Sequence, residues 1–177
     1  MHQQVAYWLS TLFPTQLEMR KVDGSRVAYG QWGEGNLAFT YDLHELDSGL
    51  TLADDADTSV RVELVTRTSG PAELAVGAVT RAAARLKEMA GAVAAQPGVL
   101  LPDLALPGTT MTSGLLIAPR FWDGQTPHLS QEGMMIVPLE LVMLLDDEYE
   151  IARERGVEGL ERRLRRRGTD DSDWQRD

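Results

Sequence analysis

Val60-Arg61-Val62-Glu63-Leu64-Val65-Thr66, followed after Gly70-Pro71 by Ala72-Glu73-Leu74-Ala75-Val76-Gly77-Ala78-Val79-Thr80-Arg81-Ala82, is the stretch on which the fold turns. Val60, Val62 and Leu64 alternate with other residues, which is the period of a strand. Gly70-Pro71 then closes the strand region and opens a helix from about Ala72 to Ala95. Its Leu74, Val79, Leu86, Met89 and Val93 are separated by three-, four- or sevenfold steps with one fivefold lapse, so they form one apolar stripe. Ala78, Ala82 and Ala90 permit close approach to a sheet, and Gln96-Pro97-Gly98 stops the helix.

Toward the N-terminus, Leu37, Phe39, Tyr41 and Leu43 alternate with Ala38, Thr40 and Asp42, which predicts a second strand with one apolar face. Both strands are expected to share one core with Val79, Leu86 and Met89. Asp23-Gly24, between extended segments within Leu17 to Trp32, is a strong hairpin signal because both central turn positions need positive φ. Gln3 to Phe13, with Val5, Leu9 and Phe13 at fourfold spacing, reads as a short helix stopped by Pro14 and lying on the sheet. Glu45 to Asp57 is an acidic loop.

Toward the C-terminus, Pro102, Pro107 and Gly108 mark a crossing loop, and Ser113 to Trp122 reads as a strand. Asp123-Gly124 and Pro127 turn the chain into another strand from Gly133 to about Leu141. A last helix starts near Asp146 or Asp147, is interrupted at Gly156 and resumes to about Arg167, with Glu148 and Glu150 in its first turn. Strands, helix, strands, helix in that order predict an α+β fold, a mixed and largely antiparallel sheet with packed helices. Residues 1–167 form one expected domain, and 168–177 a flexible polar tail with a lone Trp174 whose removal leaves stability nearly unchanged.

The 177 residues carry a net charge of −10, unevenly spread. Residues 1–152 hold nine basic and twenty acidic groups, residues 153–167 seven arginines against three glutamates, and residues 168–177 one against four. An acidic body repels nucleic acid and favours solubility or a basic protein partner. The N-terminus lacks the basic start of a signal peptide, and the most apolar later run, Met134 to Leu145, is broken by Pro138 and Glu140 and falls short of the roughly 20 residues of a membrane span. A cytoplasmic protein without membrane contact is the expectation.

Several chemistries find no footing. There is no cysteine, hence no disulfide, thiolate zinc site or thiol nucleophile. His44 and His128 have no second histidine at metal spacing. Asp54-Asp55-Ala56-Asp57 lacks the glycine that a calcium loop needs at its sixth position, where Ser59 stands. Ser113-Gly114 precedes a strand instead of sitting at a strand-to-helix elbow, and Gly33-Glu34-Gly35 lacks the third glycine of a dinucleotide site. No catalytic metal or nucleotide cofactor is expected, and no catalytic residue.

Glu63-Leu64 on a strand, the Ala-rich helix, Leu101-Pro102, Gly114-Leu115-Leu116-Ile117-Ala118-Pro119, Ile136-Val137-Pro138 and the segment Glu148 to Leu160 with Gly156 succeed one another in a fixed order. In that order the chain, over about Leu37 to Leu164, resembles the suppressor of fused domain family in its bacterial, single-domain form. The resemblance implies the family's N-terminal-domain fold and a protein that binds another protein. It also implies, for bacterial members, an immunity protein that neutralises a polymorphic toxin. The two-domain peptide grip of animal members is not implied, because the resemblance covers only the first of their domains. Two rivals stay open: a regulatory interaction domain unrelated to toxins, and a small hydrolase with an unrecognised site. The sequence sets no oligomeric state.

Candidate partner-binding residues fall in two places. Asp42, Glu45, Asp47, Asp54, Asp55, Asp57 and Glu63 set seven carboxylates against Arg61, able to steer a basic partner or simply to solvate a loop. Phe121 and Trp122 stand at a strand end before Asp123-Gly124, where aromatics anchor partners or cap a core. The arginines at 162, 163, 165, 166 and 167 read as a solvated helix end matched to the macrodipole.

Overall fold

A computed structural model describes residues 1–177. Eight strands form one sheet: β1 (Leu17–Val22), β2 (Ser25–Trp32), β3 (Gly35–Thr40), β4 (Ser59–Thr68), β5 (Leu100–Leu101), β6 (Ser113–Ile117), β7 (Leu129–Gln131) and β8 (Met134–Leu144). Their order is β1-β2-β3-β4-β8-β6-β5, with β7 paired to the start of β8. Only β4 and β8 run parallel. The sheet is therefore mixed and largely antiparallel, with three helices packed on it: α1 (His2–Leu12), α2 (Ala72–Glu88) and α3 (Asp146–Arg167). No helix is long and apolar enough to cross a membrane.

The hairpin of β1 and β2 turns at Asp23 and Gly24, whose φ values of 48° and 84° are those of a primed turn. Helix α2 ends at Glu88, short of the expected Ala95, and the chain turns through Met89 to Ala92. Strand β6 stops at Ile117, and the expected strand character of residues 118–122 is absent. At the start of α3 the cap comes from Glu148, which accepts the Leu145 N–H at 2.9 Å, while Asp146 instead accepts the Thr112 hydroxyl.

The single shared core expected for β3 and β4 divides in two. Successive strand residues point to opposite faces, and the register pairs Ala38 with Thr66 and Phe39 with Val65. Val27, Tyr29, Ala38, Val62 and Leu64 lie against Ala75, Val79, Ala82 and Leu86 of α2. Leu37, Phe39, Tyr41 and Val65 lie on the other face with Val5, Leu9 and Phe13 of α1 and its end. Strand β3 is buried on both faces, and the small Ala38 reads as half-polar in sequence only because the alanine-rich α2 presses close to it. Farther along the α1 face, Leu115, Val142 and Leu144 pack on Ala152 and Leu160 of α3.

The tail is the largest departure from expectation. Trp174 is buried to 2% exposure in the α2-face core with Leu141, Met143, Leu104 and Met111. The tail leaves α3 and passes the end of β4, where Ser172 accepts the Ser69 N–H at 2.8 Å; Trp174 then accepts the Thr110 N–H at 3.2 Å. Arg176 pairs with the buried Glu148 at 2.8 Å. Burial of Trp174, the main-chain hydrogen bonds and the Arg176 ion pair all work against the ordering entropy of the tail. Residues 168–177 are thus part of the folded domain, not a flexible tail.

Candidate functional site

Strand β4 joins two charged regions, and the candidate residues divide between its ends. At the Ser59 end the acidic segment comes apart by role. Asp42 is buried and accepts the Arg26 N–H at 2.9 Å. Glu63 is fully buried and accepts from the Thr40 hydroxyl, the Leu43 and His44 amides, and His44 Nδ1 at 2.6 Å. His44 itself is 1% exposed, and its Nε2 has no partner. These groups clamp the corner after β3 onto β4, so Asp42 is a structural acceptor and not a partner-binding carboxylate.

The rest of that segment faces solvent. Glu45 pairs with His2 at 2.7 Å and Asp47 with Arg61 at 3.0 Å. Hydrogen bonds from the Thr58 hydroxyl, then from the Asp57 amide, hold the Asp55 carboxyl below its ordinary pKa. Asp54 and Asp57 are exposed, and their carboxylates take part in no ion pair or hydrogen bond.

At the Thr68 end, aromatic rings from four segments meet. Phe13 stacks on Phe39 at 5.6 Å and meets Phe121 edge-on at 5.5 Å, with Trp122 at 5.3 Å and Trp32 at 5.6 Å. Phe121 and Trp122 are half-buried and cap the α1-side core. Beside them opens a cleft of about 130 Å³ lined by Trp32, Arg67, Arg120, Phe121 and Glu140.

Glu140 forms its floor at 1% exposure. Arg120 reaches it with its main-chain N–H at 2.9 Å and with Nε at 3.2 Å and Nη2, then extends Nη1 to Asp171 of the tail at 2.7 Å. Burial works against the Arg120 charge, but the hydrogen bond and charge of Glu140, joined by Asp171, outweigh it and raise the pKa above its ordinary value. Arg67 lies over Phe121 with its guanidinium 6.0 Å from the ring centroid, 3.8 Å from Glu140 and 3.9 Å from Asp171. Its side chain makes no hydrogen bond: Nε is buried without a partner, and the half-exposed guanidinium, paired in charge with Glu140 and Asp171, lies beside two aromatic rings. Arg and Trp are the side chains that most often dominate protein interfaces.

The structure brings Phe121 to this cleft, with Trp122 packed behind it on Phe13, but leaves the acidic loop at the far end of β4. Arg67, Arg120, Glu140, Asp171 and Trp32 were not legible as a group. The available signal was Glu140 within the apolar run Met134 to Leu145, since a carboxylate in a buried strand requires a cation to pair with it.

The family model for suppressor of fused protein matches residues 21–177, a longer span than the motifs alone suggested and one that takes in the docked tail. No curated protein sequence matches the chain. Among solved structures, a suppressor of fused homolog from Neisseria gonorrhoeae is 11% identical, with 99% of this chain and 94% of that one covered at a TM-score of 0.70. The Sufu–Fu complex is similar at 13% identity, over 99% of this chain and 90% of that one, with a TM-score of 0.66. Drosophila Suppressor of Fused is 16% identical, with a TM-score of 0.52; 97% of this chain is covered but only 44% of that one. At these identities the structures share the fold, and the sequence match from Lys21 to Asp177 places the chain in the suppressor of fused family.

Proposed function

We propose that this chain is a non-catalytic domain that binds another protein, acting as an immunity protein that neutralises a basic toxin. The observation that carries this reading is the pair Asp54 and Asp57: exposed carboxylates with no internal partner, on a body of net charge −10. Exposed charge on a loop steers an oppositely charged partner, raising its rate of association. A similar fold solved as the Sufu–Fu complex supports a protein partner.

The test is rescue from a toxin candidate encoded beside the gene, co-expressed with this chain. Wild type restores growth, and D54K/D57K fails to restore it while keeping the wild-type melting temperature. Raising salt slows association more than it changes dissociation. Equal rescue by both proteins removes the loop from the mechanism. Rescue by neither removes the immunity reading.

A further inference from the structure

Helix α3 is not one continuous helix. Gly156, at φ 72° and ψ 177°, breaks it and folds residue 155 back over residue 159. A Cβ at position 159 would lie only 2.6 Å from that of Arg155, so only glycine fits beneath it. The break leaves a groove of about 300 Å³ lined by Ile151, Arg155, Gly159, Arg162, Arg163 and Arg166.

Of these four arginines only Arg163 has an ion pair, to Asp147 at 3.3 Å. Arg162 gives one long hydrogen bond to the Glu158 carbonyl at 3.4 Å. The helix macrodipole accounts for Arg165, Arg166 and Arg167 in the last turn, but its effect fades beyond that turn. It does not account for Arg155 or Arg162. Their unspent guanidinium groups converge on a groove with a single apolar lining residue, and like charges held together without a counterion oppose one another.

We propose that this groove binds an acidic segment of a partner protein, with carboxylates seated on Arg155, Arg162 and Arg166. The segment from residue 153 to residue 167 contains seven arginines and no lysine. Arginine's planar fork pairs with carboxylates in two-point contacts that lysine cannot make. A nucleic acid is the poorer occupant, because the groove offers no aromatic ring for a base and the acidic body repels an extended polyanion. An anionic membrane meets the same repulsion, and Ile151 alone offers little to insert. A short acidic segment escapes it: at physiological salt the body's field fades within about 8 Å while the groove contacts remain. This surface is separate from the acidic loop and independent of the immunity reading.

The test is titration of the full chain with a short labelled peptide carrying about four glutamates, an oligonucleotide and phosphatidylserine vesicles at physiological salt. The peptide binds wild type, and R155E/R162E weakens it by about tenfold or more, since two charge-assisted contacts are lost. R155Q/R162Q weakens it by a smaller factor, and melting curves of both variants match wild type. R81E, on α2 and exposed, leaves binding within about twofold. No peptide binding by folded wild type, an equal loss in R81E, or tighter binding of the oligonucleotide or vesicles overturns the proposal.

Discussion

Glu63 and Glu140 stand on adjacent strands and on the same face of the sheet, since Val65, two residues after Glu63, pairs with Glu140. Both are buried to 1% exposure or less. Glu63 spends its oxygens on Thr40 at the end of β3 and on Leu43 and His44 in the corner that follows, and every one of these groups is itself buried. Glu140 spends its own on Arg120, whose guanidinium reaches solvent, with Arg67 nearby at similar exposure. The first carboxylate closes a corner and presents nothing outward. The second holds cations in position at the mouth of a cleft. Burial of a charge is thus a poor guide to function, and the exposure of its counter-group is a better one.

Removing the tail tests the Glu140 end most severely. Truncation after Arg167 deletes Asp171, Trp174 and Arg176 together. Loss of a buried Trp alone costs about 3–5 kcal/mol, and for a domain of this size each kcal/mol lowers the melting temperature by roughly 2–4 °C. The truncated protein is expected to melt at least about 6 °C lower. A melting temperature within a degree or two of wild type would show that the tail adds nothing to that end. Glu63→Ala comes next. It strands a histidine, a hydroxyl and two amides without solvent access, at a cost of about 3 kcal/mol. Thermal melts of Glu63→Ala and Glu140→Ala side by side sharpen the contrast, with the first melting lower.

Much of the framework was readable from sequence because it is local. Asp23-Gly24, the change of period across Gly70-Pro71 and the break at Gly156 each act within a few residues. The cleft beside Phe121 was not, because it is built from distant pieces. Arg120 and Glu140 are twenty residues apart and Asp171 lies fifty-one beyond Arg120, so no spacing rule connects them. Asp42 and Glu63 looked like members of an acidic surface because their neighbours are acidic, and only the turn after β3 folds them inward. Trp174 looked isolated because its contacts lie on α2-side residues far upstream.

Glu140→Gln carries a smaller effect and separates orientation from stability. The amide keeps one acceptor for Arg120, and both arginines stay hydrated, so the cost is about 1–2 kcal/mol. Arg67 and Arg120 lose one of their two counter-charges, Asp171 alone remaining, and move apart, which changes the emission of Trp32 beside them. A melt shifted by several degrees with altered tryptophan emission is the expected pair of results. Unchanged emission would place the cleft's order in its aromatic rings instead of its buried carboxylate.

The smallest effect is a pH dependence at the base of the tail. Asp170 accepts the Ser172 hydroxyl and amide, and these bonds, in that order, hold its pKa below the ordinary 3.8. A carboxyl depressed in the folded state contributes stability that is fully present above its unfolded pKa and is lost as pH falls through the folded value. Asp170→Ala therefore melts slightly below wild type at neutral pH. The gap narrows once pH drops beneath 3.8, where the wild-type carboxylate takes up its proton. Melting both proteins from neutral pH down into that range measures the gap directly. A gap constant across the range would mean that Asp170 contributes through packing, and that the tail is held at the Glu140 end by Trp174, Asp171 and Arg176 without help from the turn that precedes them.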